Sequence, residues 1–195
     1  MIRKARVERK TNETEVVVEV NLDGKGESRV DTEIPFLDHM LTLFSRHGLF
    51  DLMVKGRGDR AVDDHHLVED VGICLGKAIA DALGDKRGIE RYGEALVPMD
   101  ESLVVVALDL SGRPCLVYRV EFGSPSIGRF DPTLIREFFK ALVDNGGITL
   151  HINLLYGVND HHIAEAIFKG IGRALSKAVS RKKRIEGIMS TKGTL

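Results

Sequence analysis

Asp64-His65-His66-Leu67-Val68-Glu69 recurs, with its polar residues unchanged, as Asp160-His161-His162-Ile163-Ala164-Glu165, 96 positions further along the chain. Each copy follows the same order of features: an apolar helical pattern, a glycine, a strand pattern and a glycine-containing loop. A repeat of this length indicates that one structural unit has been duplicated.

The periodicity of apolar residues predicts the elements of each half. In the first half we predict strands at 3–10, 14–22 and 49–55, a further strand after the Asp23–Gly26 turn, and helices over Phe36–His47 and, capped by Asp64, up to Leu83. In the second half we predict strands at 95–98, 102–110, 114–122 and 148–155, and helices at 132–145 and 161–179. The prediction is an α+β fold: an internal duplication of two half-units (about 1–93 and 94–195), each a β-sheet with two helices on one face, packed as a single domain over 1–195.

The composition excludes several classes of protein. With a net charge of -1 and 29% charged residues, the chain has no excess of base or acid that would indicate a nucleic-acid or membrane-surface partner. No apolar run reaches membrane-spanning length, and the N-terminus does not resemble a signal peptide. Cys74 and Cys115 lie in apolar segments, which predicts two buried, reduced thiols and a cytoplasmic protein.

The repeated motif has the chemistry of a metal site. Residues i and i+4 of a helix share a face. His65 and Glu69 can therefore bind one ion together, and His161 and Glu165 can bind another. The adjacent His66 and His162 point about 100° away and must serve another ion or a neighbouring subunit. Imidazole and carboxylate donors suit Mn²⁺, Zn²⁺, Fe²⁺ or Ni²⁺. Two helix N-termini that merely happen to contain histidine are the alternative, which the repetition disfavours.

The two copies differ one turn beyond the glutamate, where the second has Lys169 and the first has Ile73. A lysine beside metal ions predicts an anion between them, and a substrate phosphate is one candidate. The alternative is a surface lysine whose stem covers apolar side chains. The tail Ser190-Thr191-Lys192-Gly193 could close over such a phosphate.

Over its whole length the sequence resembles the imidazoleglycerol-phosphate dehydratase family. The resemblance is carried by eight segments: Arg9–Thr14, Pro35–Leu41, Asp63–Asp70, Arg91–Gly93, Pro98–Glu101, Asp109–Pro114, Gly157–Lys169 and Ser190–Gly193. It implies dehydration of D-erythro-imidazole-glycerol 3-phosphate to imidazole-acetol phosphate in histidine biosynthesis. It further implies two Mn²⁺ per active site that hold the substrate imidazole as imidazolate, and a homo-oligomer of about 24 subunits with active sites at subunit interfaces.

The resemblance also implies roles for individual residues. The metal ligands would be His39, His65, His66, Glu69, Glu137, His161, His162 and Glu165. The candidate catalytic bases would be Glu13, Glu69 and Glu165. The substrate would contact four of the metal ligands, His39, His65, Glu69 and His161. It would also contact Glu13, His47, Arg91, Arg113, Lys169, Ser190 and Lys192. The last five of these residues would bind its phosphate and are called the grip residues. Glu137 and Ala61 stand where relatives carry histidine, and Ala61 is assigned no role.

Two other functions use the same features. A di-metal hydrolase of phosphoesters would need the same ligands and basic residues. A nucleic-acid-binding protein could have similar α+β half-units, although the near-neutral charge and the lack of interleaved aromatic and basic residues disfavour it.

Overall fold

The computed structural model describes residues 3–195, which form two four-stranded sheets and four helices. The first half contains β1 (Lys4–Lys10), β2 (Thr14–Asn21), β3 (Ser28–Asp31), α1 (Pro35–Gly48), β4 (Asp51–Gly58) and α2 (His65–Leu83). The second contains β5 (Tyr92–Met99), β6 (Ser102–Asp109), β7 (Cys115–Arg119), α3 (Thr133–Gly146), β8 (Thr149–Tyr156) and α4 (Asp160–Ala178). The predicted α+β fold with an internal duplication is confirmed.

Both sheets have the same topology. The strand orders are β1-β2-β4-β3 and β5-β6-β8-β7. In each, three strands are antiparallel neighbours and the last, β3 or β7, runs parallel to the strand beside it. The alternation of apolar and polar residues explains why each sheet buries one face: Val16, Val18 and Val20 of β2 are buried, and the residues between them are more exposed.

The helices of the two halves interlock between the sheets. α2 covers β1 and β2 and also packs on α3, while α4 covers β5 and β6 and also packs on α1. The buried side chains of both halves therefore belong to one hydrophobic core. Because α1 of the first half packs on α4 of the second, residues of the first half contact the motif of the second half. No helix within residues 3–195 is long and apolar enough to cross a membrane.

A repeated glycine allows the helices to approach closely. A Cβ atom at Gly172 would lie 2.5 Å from the backbone oxygen of Phe44 in α1, and its repeat equivalent Gly76 meets the oxygen of Leu142 in α3 in the same way. A side chain at either position would push the two helices apart.

We therefore expect Gly172→Ala to lower the free energy of unfolding by about 1–3 kcal/mol, because the extra methyl group overpacks the contact between α1 and α4. Urea unfolding would measure the loss. Lys177→Ala, at an exposed position of the same helix, serves as the control and should change stability much less. Equal stabilities of the two variants would contradict the close contact.

Three local predictions are wrong. Asp64 does not cap α2 with its side chain, because its backbone is already helical (φ -88°, ψ -3°). Instead the Asp63 carboxylate accepts the backbone N–H of His65 at 2.8 Å. Cys115 is exposed, since it begins the edge strand β7, whereas Cys74 is buried and burial raises the pKa of its thiol to about 11.

The third wrong prediction concerns the limits of three strands. β4 runs over Asp51–Gly58 instead of 49–55, because it pairs with β2 as far as Gly58. β5 begins at Tyr92, three residues earlier than predicted, because Tyr92 already pairs with Asp109 of β6. β7 ends at Arg119, before the predicted residue 122, since its pairing with β8 ends at Asn153.

Candidate metal centre

Three metal-donor side chains from both halves of the chain converge where α1 packs on α4. Nε2 of His39 lies 3.0 Å from Oε1 of Glu165, and Nε2 of His161 lies 3.1 Å from the same oxygen. The glutamate side chain is only 12% exposed, whereas the imidazoles of His39 and His161 are 44% and 42% exposed. The carboxylate of the cluster is therefore buried, while its two imidazoles are accessible to solvent. His161 and Glu165 meet because they are four residues apart on α4, and His39 is added by the contact between helices.

The Glu165 carboxylate is the centre of this cluster. Burial raises its pKa, but hydrogen bonds from Lys169 and His39 outweigh burial and bring the pKa down to about 2. The group is therefore ionised at neutral pH and can act as an anionic metal donor. A carboxylate with this pKa is a weak proton acceptor near pH 7.

Lys169 is paired within the chain. Its Nζ lies 2.6 Å from Oε2 of Glu165 and 3.2 Å from Sδ of Met99. The anion between this lysine and the imidazoles is thus Glu165 itself, and the position of Lys169 does not by itself require a substrate phosphate. Nearby, burial and the positive charges of Lys169 and Arg173 lower the pKa of His47, which keeps that imidazole neutral.

A second group of donor side chains surrounds His66 in the first half. Nδ1 of His66 lies 3.2 Å from both carboxylate oxygens of Asp59 and 3.9 Å from Oε2 of Glu13. Glu13 occupies the turn between β1 and β2. This turn is tied to α2 because the hydroxyl of Thr14 donates to the buried Asp70.

The second histidine of the other motif copy has a similar neighbour. Nδ1 of His162 lies 2.7 Å from Oε2 of Glu101, in the turn between β5 and β6. Asp100 in the same turn is 3.6 Å from Nε2 of His162. Sequence reasoning assigned no role to Asp59, Asp100 or Glu101. The internal repeat could have indicated Glu101, because the turn between β5 and β6 corresponds to the turn that carries Glu13.

The first motif copy is not assembled like the second. Among residues 3–195, the groups of three or more converging donors are the His39 and His66 groups, and neither includes His65, Glu69 or Glu137. Glu137 lies on α3, which packs on α2, but its ion pair is with the adjacent Arg136 at 2.8 Å. The remaining histidine, His151, is exposed on β8 between the buried Leu150 and Ile152, and the predicted set gives it no role. Metal binding by His65, Glu69 and Glu137, like metal binding by the other predicted ligands, remains a prediction.

The five residues predicted to grip the phosphate lie in two places. Arg91 forms a two-pronged ion pair with Asp109 and donates to the backbone oxygen of Met189 at 2.7 Å, which holds the tail carrying Ser190 and Lys192. The C-terminal Leu195 lies beside Gly112, which precedes Arg113. These four grip residues thus gather where β5 begins.

Lys169 lies at the other end of the same strand, against Met99. The eight residues of β5 at about 3.3 Å each separate the two ends by roughly 23 Å. One chain therefore does not bring all five residues to one phosphate.

Comparison with known proteins identifies the family. The model of the imidazoleglycerol-phosphate dehydratase family matches residues 32–175. The imidazoleglycerol-phosphate dehydratase of Syntrophus aciditrophicus is 64% identical over the full length of both chains, and that of Geobacter metallireducens is 56% identical over the full length of both. The chain belongs to the imidazoleglycerol-phosphate dehydratase family. The resemblance inferred from the sequence is thereby confirmed, and so is the predicted enzyme class, since the family consists of hydro-lyases of histidine biosynthesis.

Solved structures of imidazoleglycerol-phosphate dehydratases share the fold. The Staphylococcus aureus protein, 38% identical, superposes with a TM-score of 0.84 over 92% of this chain and 99% of that one. The Pyrococcus furiosus protein, 37% identical, gives the same TM-score over 97% of this chain and 100% of that one. The two-sheet architecture described above is therefore the architecture of the family.

Proposed function

We propose that this chain dehydrates D-erythro-imidazole-glycerol 3-phosphate to imidazole-acetol phosphate with the help of two Mn²⁺ ions per active site. The main support for a metal site is that His39 and His161 converge on one carboxylate oxygen of Glu165 in a member of this family. Two imidazole nitrogens and an anionic oxygen, without a thiolate, fit Mn²⁺. The chemistry that bound manganese supplies is Lewis acidity, which holds the substrate imidazole as imidazolate.

Individual residues of the chain have separate roles in metal binding and proton transfer. Glu165, held by Lys169, would bind the metal together with the imidazoles of His39 and His161. Glu13 is the proposed proton acceptor, because it is exposed in a turn and close to His66, whereas the Glu165 carboxylate is buried and paired with Lys169. The carbon next to the ring loses its hydroxyl, and Glu13 removes a proton from the neighbouring carbon. The hydroxyl and one proton leave together as water, and the enol so formed tautomerises to the ketone. Glu69, also exposed, is the second candidate.

We further propose that the active site is shared between chains of a homo-oligomer of about 24 subunits. The support is the distance of roughly 23 Å between the ends of β5, which places Lys169 apart from the other four grip residues. His66 and His162 also point away from the ions that His65 and His161 would serve. A second chain can supply the missing part of each site.

The outer faces of the two sheets support this assembly. The outer row Glu8, Val17 and Lys55 of the first sheet is mostly charged, whereas the equivalent row Leu96, Val105 and Asn153 of the second carries no charge. Leu96 is 61% exposed. Because duplication makes the two sheets alike in shape, this difference in polarity supports the proposal that a second copy of the chain covers the outer face of the second sheet.

Leu96→Glu gives the second sheet the residue type that the first sheet has at the equivalent position, Glu8. We expect this variant to stay folded but to form smaller assemblies than the wild type, since assembly would bury an unpaired charge. Size-exclusion chromatography with light scattering measures the change. Glu8→Gln is the control, and unchanged assembly of Leu96→Glu would remove this face from the interface.

The proposed reaction is tested with imidazole-glycerol phosphate and purified, chelated protein. We expect the ultraviolet absorbance of the keto product to appear only after Mn²⁺ is added, with no release of inorganic phosphate. Release of phosphate would instead favour a di-metal hydrolase, and absence of both signals would contradict catalysis by this site. A cytoplasmic location remains a prediction.

A further inference from the structure

We infer that Asp59 and Glu101 are positioning residues, each of which fixes the tautomer and the ring orientation of the second histidine of one motif copy. Asp59 acts on His66, and Glu101 acts on His162. The inference rests on the proposed function, because it concerns the imidazole nitrogens that the proposed metal site uses.

Glu101 holds His162 from a rigid position. Its Oε2 lies 2.7 Å from Nδ1 of His162, while its Oε1 accepts the backbone N–H of Val158 at 3.2 Å and of Asn159 at 2.7 Å. The hydroxyl of Ser102 also donates to Oε1 at 2.9 Å. A carboxylate only accepts hydrogen bonds, so Nδ1 carries a proton, and in the neutral imidazole Nε2 then keeps its lone pair.

Asp59 holds His66 in the same way. Both its carboxylate oxygens lie 3.2 Å from Nδ1 of His66. The backbone of Asp59 is anchored on both sides, because its N–H donates to the oxygen of Glu13 at 3.0 Å and its own oxygen accepts the N–H of Val62 at 2.8 Å. Nε2 of His66 is thereby left as the free nitrogen.

The other histidines of the site show the opposite arrangement. In His39 and His161 it is Nε2, not Nδ1, that faces the carboxylate of Glu165. Glu165 thus lies on the Nε2 side of its histidines, where another metal ligand would lie. Asp59 and Glu101 lie on the Nδ1 side of theirs, away from the nitrogen that would bind the metal. A carboxylate behind a metal-binding imidazole orients the ring and raises its basicity.

The two halves reach this arrangement with residues that are not repeat equivalents. Asp59 directly follows β4, and the residue that directly follows β8 is Gly157. A Cβ atom at Gly157 would lie 2.5 Å from Oγ of Ser102, so that position has no room for a carboxylate side chain. The second half instead uses Glu101, from the turn that corresponds to the one carrying Glu13. Because Asp59 holds His66 in the first half, Glu13 is not needed for that role and is available for proton transfer.

Asp59→Ala is the sharper test, because the hydrogen bonds recorded for the Asp59 side chain all go to His66. We expect the variant to bind Mn²⁺ about 10–100-fold more weakly, measured by electron paramagnetic resonance of free Mn²⁺, with the thermal stability of the chelated protein nearly unchanged. Asp59→Asn should recover most of the affinity, because its amide oxygen can accept the same Nδ1 proton. Asp144→Ala, an exposed aspartate of α3 paired with Lys140, is the matched control.

Glu101→Gln tests the second half. The single amide oxygen can serve either the backbone N–H groups or His162, so Mn²⁺ binding should again weaken about 10–100-fold. Glu94→Gln on β5 is its control, since Glu94 pairs only with Lys177 in the part of the chain described.

The outcomes separate this inference from the proposed function. If the wild type binds no Mn²⁺, the proposed metal site is wrong. If the wild type binds Mn²⁺ and folded Asp59→Ala and Glu101→Gln bind it equally tightly, the metal site stands and the positioning roles are wrong. If Glu101→Gln unfolds, the comparison of Asp59→Ala with Asp59→Asn decides, and equal affinities of those two would overturn the inference.

Discussion

Glu165→Gln is expected to weaken Mn²⁺ binding by more than about 100-fold and to lower turnover at least as far, because losing a direct donor costs more than losing a residue behind one. Oε1 of Glu165 is the atom on which His39 and His161 converge, and Oε2 pairs with Lys169. Glutamine keeps the shape but replaces the anion by a neutral amide. Its single amide oxygen can accept from the two imidazoles or from Lys169, but it cannot serve as an anionic metal donor.

The same variant should also lose stability. The Lys169 side chain is only 15% exposed, and without Glu165 its ammonium group has no anionic partner among the contacts described. We expect a loss of about 1–3 kcal/mol in the chelated protein, which is the cost of an unsatisfied buried polar group. Mn²⁺ titration and urea unfolding would be measured side by side. Glu19→Gln, which removes an exposed ion pair with Arg6 on the outer face, is the control, and wild-type Mn²⁺ affinity of Glu165→Gln would refute the proposed centre.

Subunits with Lys169→Ala and subunits with Arg113→Ala are each expected to be inactive alone and active when assembled together. If every site takes Lys169 from one chain and Arg113 from another, random mixing leaves about one quarter of the sites intact, and about that share of wild-type activity should return. The physical basis is the separation of the two residues along β5 within a single chain. Arg113 suits this test because it is exposed, and no side-chain hydrogen bond from its guanidinium is recorded in residues 3–195.

The experiment co-expresses the two variants with different affinity tags and purifies the mixed assembly over both. Assemblies of either variant alone, taken through the same steps, are the controls. Activity well above both controls supports a shared site. A mixed assembly as inactive as its controls would show that one chain supplies both residues to each phosphate, and the proposed sharing would be wrong.

Some features of this protein are local enough to be predicted from the sequence. The duplication is visible because the motif and its flanking glycine, Gly76 or Gly172, recur at one offset. The pairing of His161 with Glu165 follows from the pitch of a helix. Strand and helix positions also follow from periodicity. The predicted limits of β4, β5 and β7 were wrong where pairing with a neighbouring strand decided them.

What only the tertiary structure decided depends on residues that are distant in sequence. His39 reaches Glu165, 126 positions away, because α1 packs on the helix of the other half. The length of β5 separates Lys169 from the tail that carries Lys192, and the turn between β5 and β6 brings Glu101 to His162. The sequence by itself determined the repeated motif, its metal-donor chemistry and the family. The partner of each donor was decided by packing, because a helical pattern specifies which face is buried but not which helix covers it.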